Sequence, residues 1–378
     1  MRILLIGEYS GYHNALKHGL QSLGHEVVIA GDGDGFKKFP VDIDLGSDYF
    51  RRNWFREKIK VAWWKLTGNN LEDYLRLARF RESEKKLANF DIIQFINSNA
   101  LGCAPNIEWQ MMQRLLENNS KVFLIACGDD CEYSNYLVNQ HKGYSILKAA
   151  ENAPTGKAVL DHTYKYLGKG YRDNYNKLMK RCVNIVPSNT DYAMALTDQN
   201  KATSIIAAPV VVENIPDEIN HDLSVIEIFM GINRGNYWKK GINYFEKALE
   251  IVKENYKSKV NITIAEDLPY TDYITSYKKA HILLDQVLCF DQGYNALQAM
   301  LRGKVVFAGA GEPYFKFHNI DKIPVIDATP DVMDIVDKLS ELIENPTTII
   351  ELGKEARKHV IHYHDAVKIA RQFEHFYK

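Results

Sequence analysis

Short runs that are apolar at nearly every position recur along this chain, with a helix's length of sequence between them, and the series starts twice. Alternating apolar and polar residues would mark a sheet with one wet face. Continuous runs mark strands covered on both faces, the signature of parallel sheets with helices above and below. The first series opens with RILLIG, followed by helix-spaced Ala15, Leu16, Leu20 and Leu23 up to Gly24, then EVVIAG, which together read as a β-α-β unit. DIIQFI from Asp91, KVFLIA from Lys121, CVNIVPS from Cys182 and TSIIAAPVVV from Thr203 continue it as further strands. The second series opens with VIEIFMGINR and a helix on Ile242, Phe245, Leu249 and Val252. It runs on through KVNITIA, a Tyr-rich helix, HILLDQV, a helix from about Asn295 to Arg302, and KVVFAGA. A last helix of this series is predicted to begin at Thr329 and Pro330, with threonine as cap and proline in the first turn.

Two series in 378 residues predict two doubly wound α/β domains facing a cleft, since one core seldom organises so long a chain. The boundaries expected are 1–212 and 213–361, with the hinge near Pro209 to Pro216. A closing segment, 362–378, is amphipathic through Val367, Ile369, Ala370 and Phe373. The formal net charge of −1 gives no whole-surface attraction for nucleic acid. No apolar run approaches the roughly 20 residues that span a bilayer, and Met1 leads straight into a strand pattern without a signal-peptide architecture. A cytoplasmic location is expected. The five cysteines, Cys103, Cys127, Cys131, Cys182 and Cys289, are odd in number and scattered, so reduced thiols are expected rather than a disulfide framework. No metal site is expected at Cys127 and Cys131, which lack a second ligand pair, nor at Asp32 and Asp34, whose calcium-loop reading would put Ile43 at the terminal acid position.

Ligands of open parallel sheets meet the loops after the strands, and three such loops carry chemistry. GEYSGYHN, from Gly7 to Asn14, offers Gly7 and Gly11 for close backbone approach and Ser10, His13 and Asn14 at a helix start, although without G-x-G-x-x-G it also reads as a plain capped turn. GINRGNYWKKG, from Gly231 to Gly241, sets Arg234 and Lys240 across one loop, where both could meet one anion such as a leaving diphosphate. A solvated basic turn is the plainer reading. DQGYNALQAMLRGKVVFAG, from Asp291 to Gly309, places Gly293 at a helix start whose amides suit a phosphate or a sugar hydroxyl, while Ala296, Leu297 and Met300 form the helix's core face.

The whole chain, most strongly from about Phe229 to Gly309, resembles the retaining glycosyltransferases of family four, which have the GT-B fold. Arg234, the Lys240-Gly241 pair, Gly293 to Met300 and Gly303-Lys304-Val305-Val306 occur in that family's order. The resemblance implies a metal-independent transferase without cofactor that takes a nucleotide-sugar donor and a glycan or lipid-linked acceptor. By position it implies that Arg234 and Lys240 hold the donor diphosphate, that Gly293, Tyr294, Asn295 and Gln298 line the donor sugar, and that Gly7 and Gly11 face the donor. Ser10, His13 and Asp130 would face the acceptor, Asp129 would approach the transferred sugar as a catalytic group, and the final helix would cross back onto the first domain. The family usually carries two glutamates on the distal segment; the matching positions here are Phe290 and Gln298, with Asp291 and Asp285 nearby as displaced acids. A histidine common after the fifth strand gives way to Cys127 or Gly128.

Arg51 to Leu66 carries six Lys or Arg against one Glu, with Phe55, Ile59, Ala62, Trp63 and Leu66 at helical spacing. Such a segment suits an anionic membrane surface, or else packs its stripe on the first domain. The expected function is sugar transfer in surface polysaccharide synthesis, by a protein that is cytoplasmic or peripheral on the inner face of the plasma membrane. The alternatives are a catalytically silent GT-B sugar-nucleotide-binding protein and a nucleotide-sugar epimerase.

Overall fold

Each series of apolar runs folds into its own parallel sheet in the computed structural model, which describes residues 1–378 except 47, 48, 51, 141–145, 152, 154, 155, 267, 269–271, 274 and 276. The first sheet contains β1 (Arg2–Ile6), β2 (Glu26–Gly31), β3 (Ile43–Asp44), β4 (Ile92–Phe95), β5 (Lys121–Ala126) and β6 (Cys182–Pro187), in the order β3-β2-β1-β4-β5-β6. The second contains β7 (Ile226–Ile232), β8 (Val260–Glu266), β9 (Ile282–Leu284), β10 (Val305–Ala308) and β11 (Ile326–Asp327), in the order β11-β10-β9-β7-β8. In β1, Ile3, Leu4, Leu5 and Ile6 are all fully buried, so consecutive side chains find cover on opposite faces. In β7, Ile226, Ile228, Met230 and Ile232 enter the core on one face and Phe229 the core on the other.

This order positions the site. The chain leaves β1 toward β2 on one side and later returns to β4 on the other; β7 is likewise flanked by β8 and β9. A crevice opens where the winding direction reverses, beyond the strands' C-terminal ends. The loops that meet the two crevices follow β1 and β4 in the first sheet and β7 and β9 in the second.

TSIIAAPVVV is not a strand. It makes one isolated parallel bridge, Val210 to Asp365, with another just before it from Ala202 to Ile185, while Ile206 and Val210 are buried along the connector between the sheets. A buried connector and a buried strand share the same apolar composition, and only pairing separates them. The helix expected from Thr329 instead spans Val332–Glu344 and is capped by Asp331, which accepts from the Met333 and Asp334 amides, while the Thr329 hydroxyl reaches Asp334. The Tyr-rich helix lies in a stretch where 267, 269–271, 274 and 276 fall outside the described residues.

The last helix, Ala366–Tyr377, is capped by Asp365 and packs on the first sheet's core through Ile369, Ala370, Phe373 and Tyr377. Contact is close because Gly19 carries no side chain: a Cβ there would strike the Ala366 carbonyl. The Tyr377 hydroxyl also donates to Gln94 Oε1 at 2.7 Å. Each large side chain so buried contributes about 1.5–3 kcal/mol. The helical segment between β5 and β6 reaches the other way, and its Tyr136 and Leu147 join a core face of the second sheet.

Candidate active site between the two sheets

After β1, Gly7 and Gly11 both lie in the left-handed region (φ 83° and 88°). At Gly7 the close approach is internal, since a Cβ would meet Ile96 and the Ala100 carbonyl. The start of the Tyr12–Ser22 helix is occupied by a residue that the sequence reading passed over. Glu8, buried, accepts from the Gly11 amide (2.9 Å), the Asn14 amide (2.8 Å) and the Asn14 side chain (2.6 Å). Burial raises its pKa, and these hydrogen bonds oppose the rise. A carboxylate already fills this helix start, so it is not an open phosphate cradle. Its signal in the sequence was an acid directly after a buried strand.

The Ser10 amide donates to Asp34 (2.8 Å) and its hydroxyl oxygen accepts from Lys37 Nζ (2.9 Å), and Lys37 also pairs with Asp34 (2.7 Å). Asp32 pairs with Arg76 at 3.0 Å. The GDGDG turn is thus tied to its neighbours by ion pairs, and among the described residues no group of His, Cys, Asp or Glu is arranged to hold a metal ion. All five cysteines are free thiols. His13 does not face the cleft: it is fully buried, with Nδ1 2.7 Å from the Gly7 carbonyl and Nε2 3.2 Å from Gln94. Burial lowers its pKa to about 4, which keeps the imidazole neutral. The imidazole expected to meet the acceptor therefore lies beneath the loop, hydrogen-bonded within the first domain.

The loop after β5 places its two acids in different settings. Asp130 caps the Cys131–Asn135 helix through the Glu132 and Tyr133 amides, and burial raises its pKa to about 6. Asp129 spans the two sheets. Its Oδ2 takes Lys239 Nζ at 2.5 Å and the Thr163 hydroxyl at 3.1 Å, with His162 at 3.7 Å. Burial alone would raise this carboxyl; the Lys239 ammonium and the Thr163 hydrogen bond more than offset that and hold it below the usual range. Nothing local in Lys239-Lys240 reveals which lysine crosses to the first domain.

Beyond β7, Asn233 accepts from the Gly235 amide at 2.9 Å and fixes the turn that carries Arg234. Arg234 forms a two-pronged pair with Glu266 at the end of β8, with Nε to Oε2 at 3.0 Å, and both side chains are about half exposed (49% and 47%). Lys240 turns inward to Asp285, the first residue after β9, at 2.7 Å. Asn295 donates to the same Asp285 Oδ1 at 3.0 Å and to the Tyr273 hydroxyl at 2.6 Å. Lys240, Asp285, Asn295 and Tyr273 thus form one polar cluster at the second sheet's switch point. Gly293 caps the Tyr294–Leu301 helix in extended conformation (φ −72°, ψ 166°). The Tyr294 hydroxyl donates to the Pro209 carbonyl and lies 3.5 Å from the Gly11 carbonyl, so it pins this helix to the connector and the first domain.

At the two positions where the resemblance expects glutamates, the Phe290 amide donates to Asp191 (3.1 Å) and Gln298 accepts from Arg302 (2.9 Å). The displaced acid Asp291 is also committed: it accepts from the Thr190 amide (2.7 Å) and hydroxyl (2.8 Å), with His318 at 3.1 Å. Burial would raise its pKa, and His318 together with Thr190 brings it below the usual range. Of the two displaced acids, Asp291 fastens the domains together and Asp285 belongs to the cluster that faces Lys240.

No protein-family model matches the chain, and no curated protein matches it by sequence. Solved structures do match along its whole length. The sucrose-phosphate synthase of Thermosynechococcus elongatus is 14% identical with a TM-score of 0.60, covering 100% of this chain and 98% of that one. HepE of Anabaena, solved with UDP-glucose, is 10% identical at 0.56, covering 100% and 99%. A glycosyltransferase of Rickettsia africae is 15% identical at 0.54, covering 100% and 97%. At such identities the likeness speaks to architecture, and in architecture this chain is a GT-B protein: two doubly wound parallel-sheet domains that meet across a crevice.

Proposed function

We propose that this chain is a glycosyltransferase that moves a sugar from a nucleotide-sugar donor to a glycan or lipid-linked acceptor, with retention and without metal or cofactor, in surface polysaccharide synthesis. The observation that carries the proposal is the convergence of the cation-bearing loop after β7 with the Asp285–Asn295 cluster after β9, opposite the first domain. In the absence of donor, Arg234 is paired to Glu266 at the surface, where such pairs are worth about 0–1 kcal/mol. A diphosphate offers the same fork a stronger partner and exchanges for Glu266 at little cost. Lys240 has three N–H donors and gives one to Asp285, so it can hold phosphate without leaving the carboxylate.

As the bond from the anomeric carbon to phosphate breaks, negative charge grows on the diphosphate beside Arg234 and Lys240, which stabilise it. The acceptor oxygen bonds to the anomeric carbon, and its proton passes to a departing phosphate oxygen. That route needs no carboxylate at Phe290 or Gln298. Asp129, bound to Lys239, is a weak base in this state and serves better to hold the two domains in register. Ser10 and Asp130 remain the residues proposed to approach the acceptor.

Peripheral attachment to the inner face of the plasma membrane is proposed for the Trp54–Thr67 helix. None of its residues is buried, and Trp54, Phe55, Trp64 and Leu66 are exposed beside Arg56, Lys58, Lys60 and Lys65. No helix among the described residues is long and apolar enough to cross a membrane.

A screen of sugar nucleotides by thermal shift tests the donor claim. A ligand at 100 times its Kd adds about 2.7 kcal/mol, which is about 3 °C for a chain of this length melting as one unit. Slow release of nucleoside diphosphate without acceptor should accompany the shift. If no sugar nucleotide moves the Tm, the transferase proposal fails. Binding without release would favour a silent sugar-nucleotide-binding protein, the reading supported by the occupied Phe290 amide and Gln298 side chain.

A further inference from the structure

In the cluster at the second sheet's switch point, Asp285 is the group whose hydrogen bonding is incomplete. Its side chain is 1% exposed. Oδ1 takes both Lys240 and Asn295, at 2.7 and 3.0 Å, whereas Oδ2 is buried with no hydrogen bond among the described residues. Buried carboxylate oxygens are normally paired, so an orphan marks a position that calls for a hydrogen-bond donor. Oδ2 lies beside the start of the Tyr294–Leu301 helix, where a Cβ on Gly293 would come within 3.3 Å of it. Glycine at 293 puts no side chain of its own against this oxygen, and the Gln286 side-chain amide also lies close to the same spot.

The chemistry selects the partner. A carboxylate oxygen only accepts, so a phosphate, itself negative and acceptor-rich, is repelled, while a hydroxyl group is bound. The neighbouring ammonium of Lys240 has the opposite preference. The pair therefore sorts a nucleotide sugar by its parts, with the diphosphate on the lysine side and a polyol on the aspartate side. We propose that Asp285 Oδ2 accepts a hydrogen bond from one hydroxyl of the donor sugar and so determines which sugar is taken. This rests on the transferase reading above and deepens it.

The test is calorimetry on the full chain with UDP-glucose, UDP-N-acetylglucosamine and GDP-mannose, each matched with UDP or GDP. For whichever sugar nucleotide the wild type prefers, Asp285→Asn should weaken binding about tenfold or more, as expected for loss of a hydrogen bond to a charged group. The matched nucleoside diphosphate should stay within about threefold, which also shows that the variant is folded. Equal losses for both ligands would mean that Asp285 merely props up Lys240, and no loss for either would mean that it touches no ligand; each result overturns the assignment. A second arm uses the wild type alone with monodeoxy forms of the preferred donor. One of them should bind about tenfold more weakly, and uniform binding of the whole set overturns the proposal without any variant. If the wild type binds none of the nucleotides, the transferase reading itself fails, a result distinct from the others.

Discussion

Replacing Lys239 with methionine removes one half of the ion pair that joins the two sheets. Lys239 Nζ and Asp129 Oδ2 lie 2.5 Å apart, with side-chain exposures of 20% and 6%. Breaking a buried pair at one partner costs about 3–5 kcal/mol, because the remaining charge stays desolvated. The partial exposure of Lys239 and the Thr163 hydroxyl, which remains on Asp129, point to the lower end, about 3 kcal/mol. A chain of 378 residues that melts as one unit has an unfolding entropy of about 0.8 kcal/mol/K, at about 2.1 cal/mol/K per residue, so the Tm should fall by about 4 °C. The pH dependence is more diagnostic than the size. In the wild type the carboxyl is held below its usual range, so its contribution is present above the unfolded pKa near 4 and is lost as the pH falls through the lower folded value. In Lys239→Met, burial is opposed only by the Thr163 hydroxyl and His162, and the folded pKa rises. The penalty is then present at pH 8 and shrinks as acid protonates the buried group. Calorimetric Tm values at matched ionic strength should show a gap between wild type and variant that is widest at pH 8 and narrows toward pH 5. A gap under about 1 °C, or one that does not change with pH, would refute the claim that this pair holds Asp129 ionised between the domains.

Arg234→Ala should weaken UDP or GDP binding about tenfold by calorimetry while moving the Tm by less than about 1 °C, since the Glu266 pair that it breaks lies at the surface. Alanine at both Trp63 and Trp64, 41% and 55% exposed, should abolish most co-sedimentation with anionic phospholipid vesicles at unchanged Tm; equal pelleting of variant and wild type would contradict the membrane proposal. Asp191 accepts the Phe290 amide and is pushed up to about 7 by burial and by the nearby Asp291 carboxylate. Because its folded pKa is raised, the stability it contributes is complete below pH 4 and is lost as the pH rises through 7. Asp191→Asn should accordingly melt above the wild type at pH 8 and converge with it near pH 4; a constant offset would show that Asp191 is not the titrating group.

What the sequence disclosed follows from the range of the interactions involved. RILLIG, KVFLIA and VIEIFMG declare themselves because a strand covered on both faces must be apolar at successive positions, a property that each segment carries alone. The loops after β1, β5, β7 and β9 were therefore legible as places where chemistry could sit. TSIIAAPVVV misled because burial, not pairing, sets its composition, and Thr329 misled because Asp331 offers a stronger cap nearer the first helical turn. Partnerships were out of reach. Lys239 finds Asp129 across 110 positions and Lys240 finds Asp285 across 45, yet the two lysines are adjacent and chemically identical in the chain. Glu8 was the avoidable omission, an acid directly after a buried strand, which could be anticipated either to bind a ligand or to cap the following helix.

Three cations of the loop after β7 each meet a carboxylate: Arg234 with Glu266, Lys239 with Asp129 and Lys240 with Asp285. Burial makes these pairs unequal. Uncompensated buried charge is costly, so the inner pairs at Asp129 and Asp285 hold their geometry whether or not a ligand is present, whereas the outer pair at Glu266 is exposed and weak enough to open. On the proposed function, an arriving diphosphate would displace one surface carboxylate beside Arg234, and little of its binding energy would go into ordering the buried Lys240–Asp285 pair. The same arrangement bears on Phe290 and Gln298, the positions where the resemblance leads to an expectation of glutamates. An acid at Phe290 would add a further carboxylate beside Asp191, whose pKa burial and the nearby Asp291 carboxylate already raise. At the end of β9, Asp285 has Lys240 as counter-ion, and its second oxygen is the one proposed to take a neutral hydroxyl.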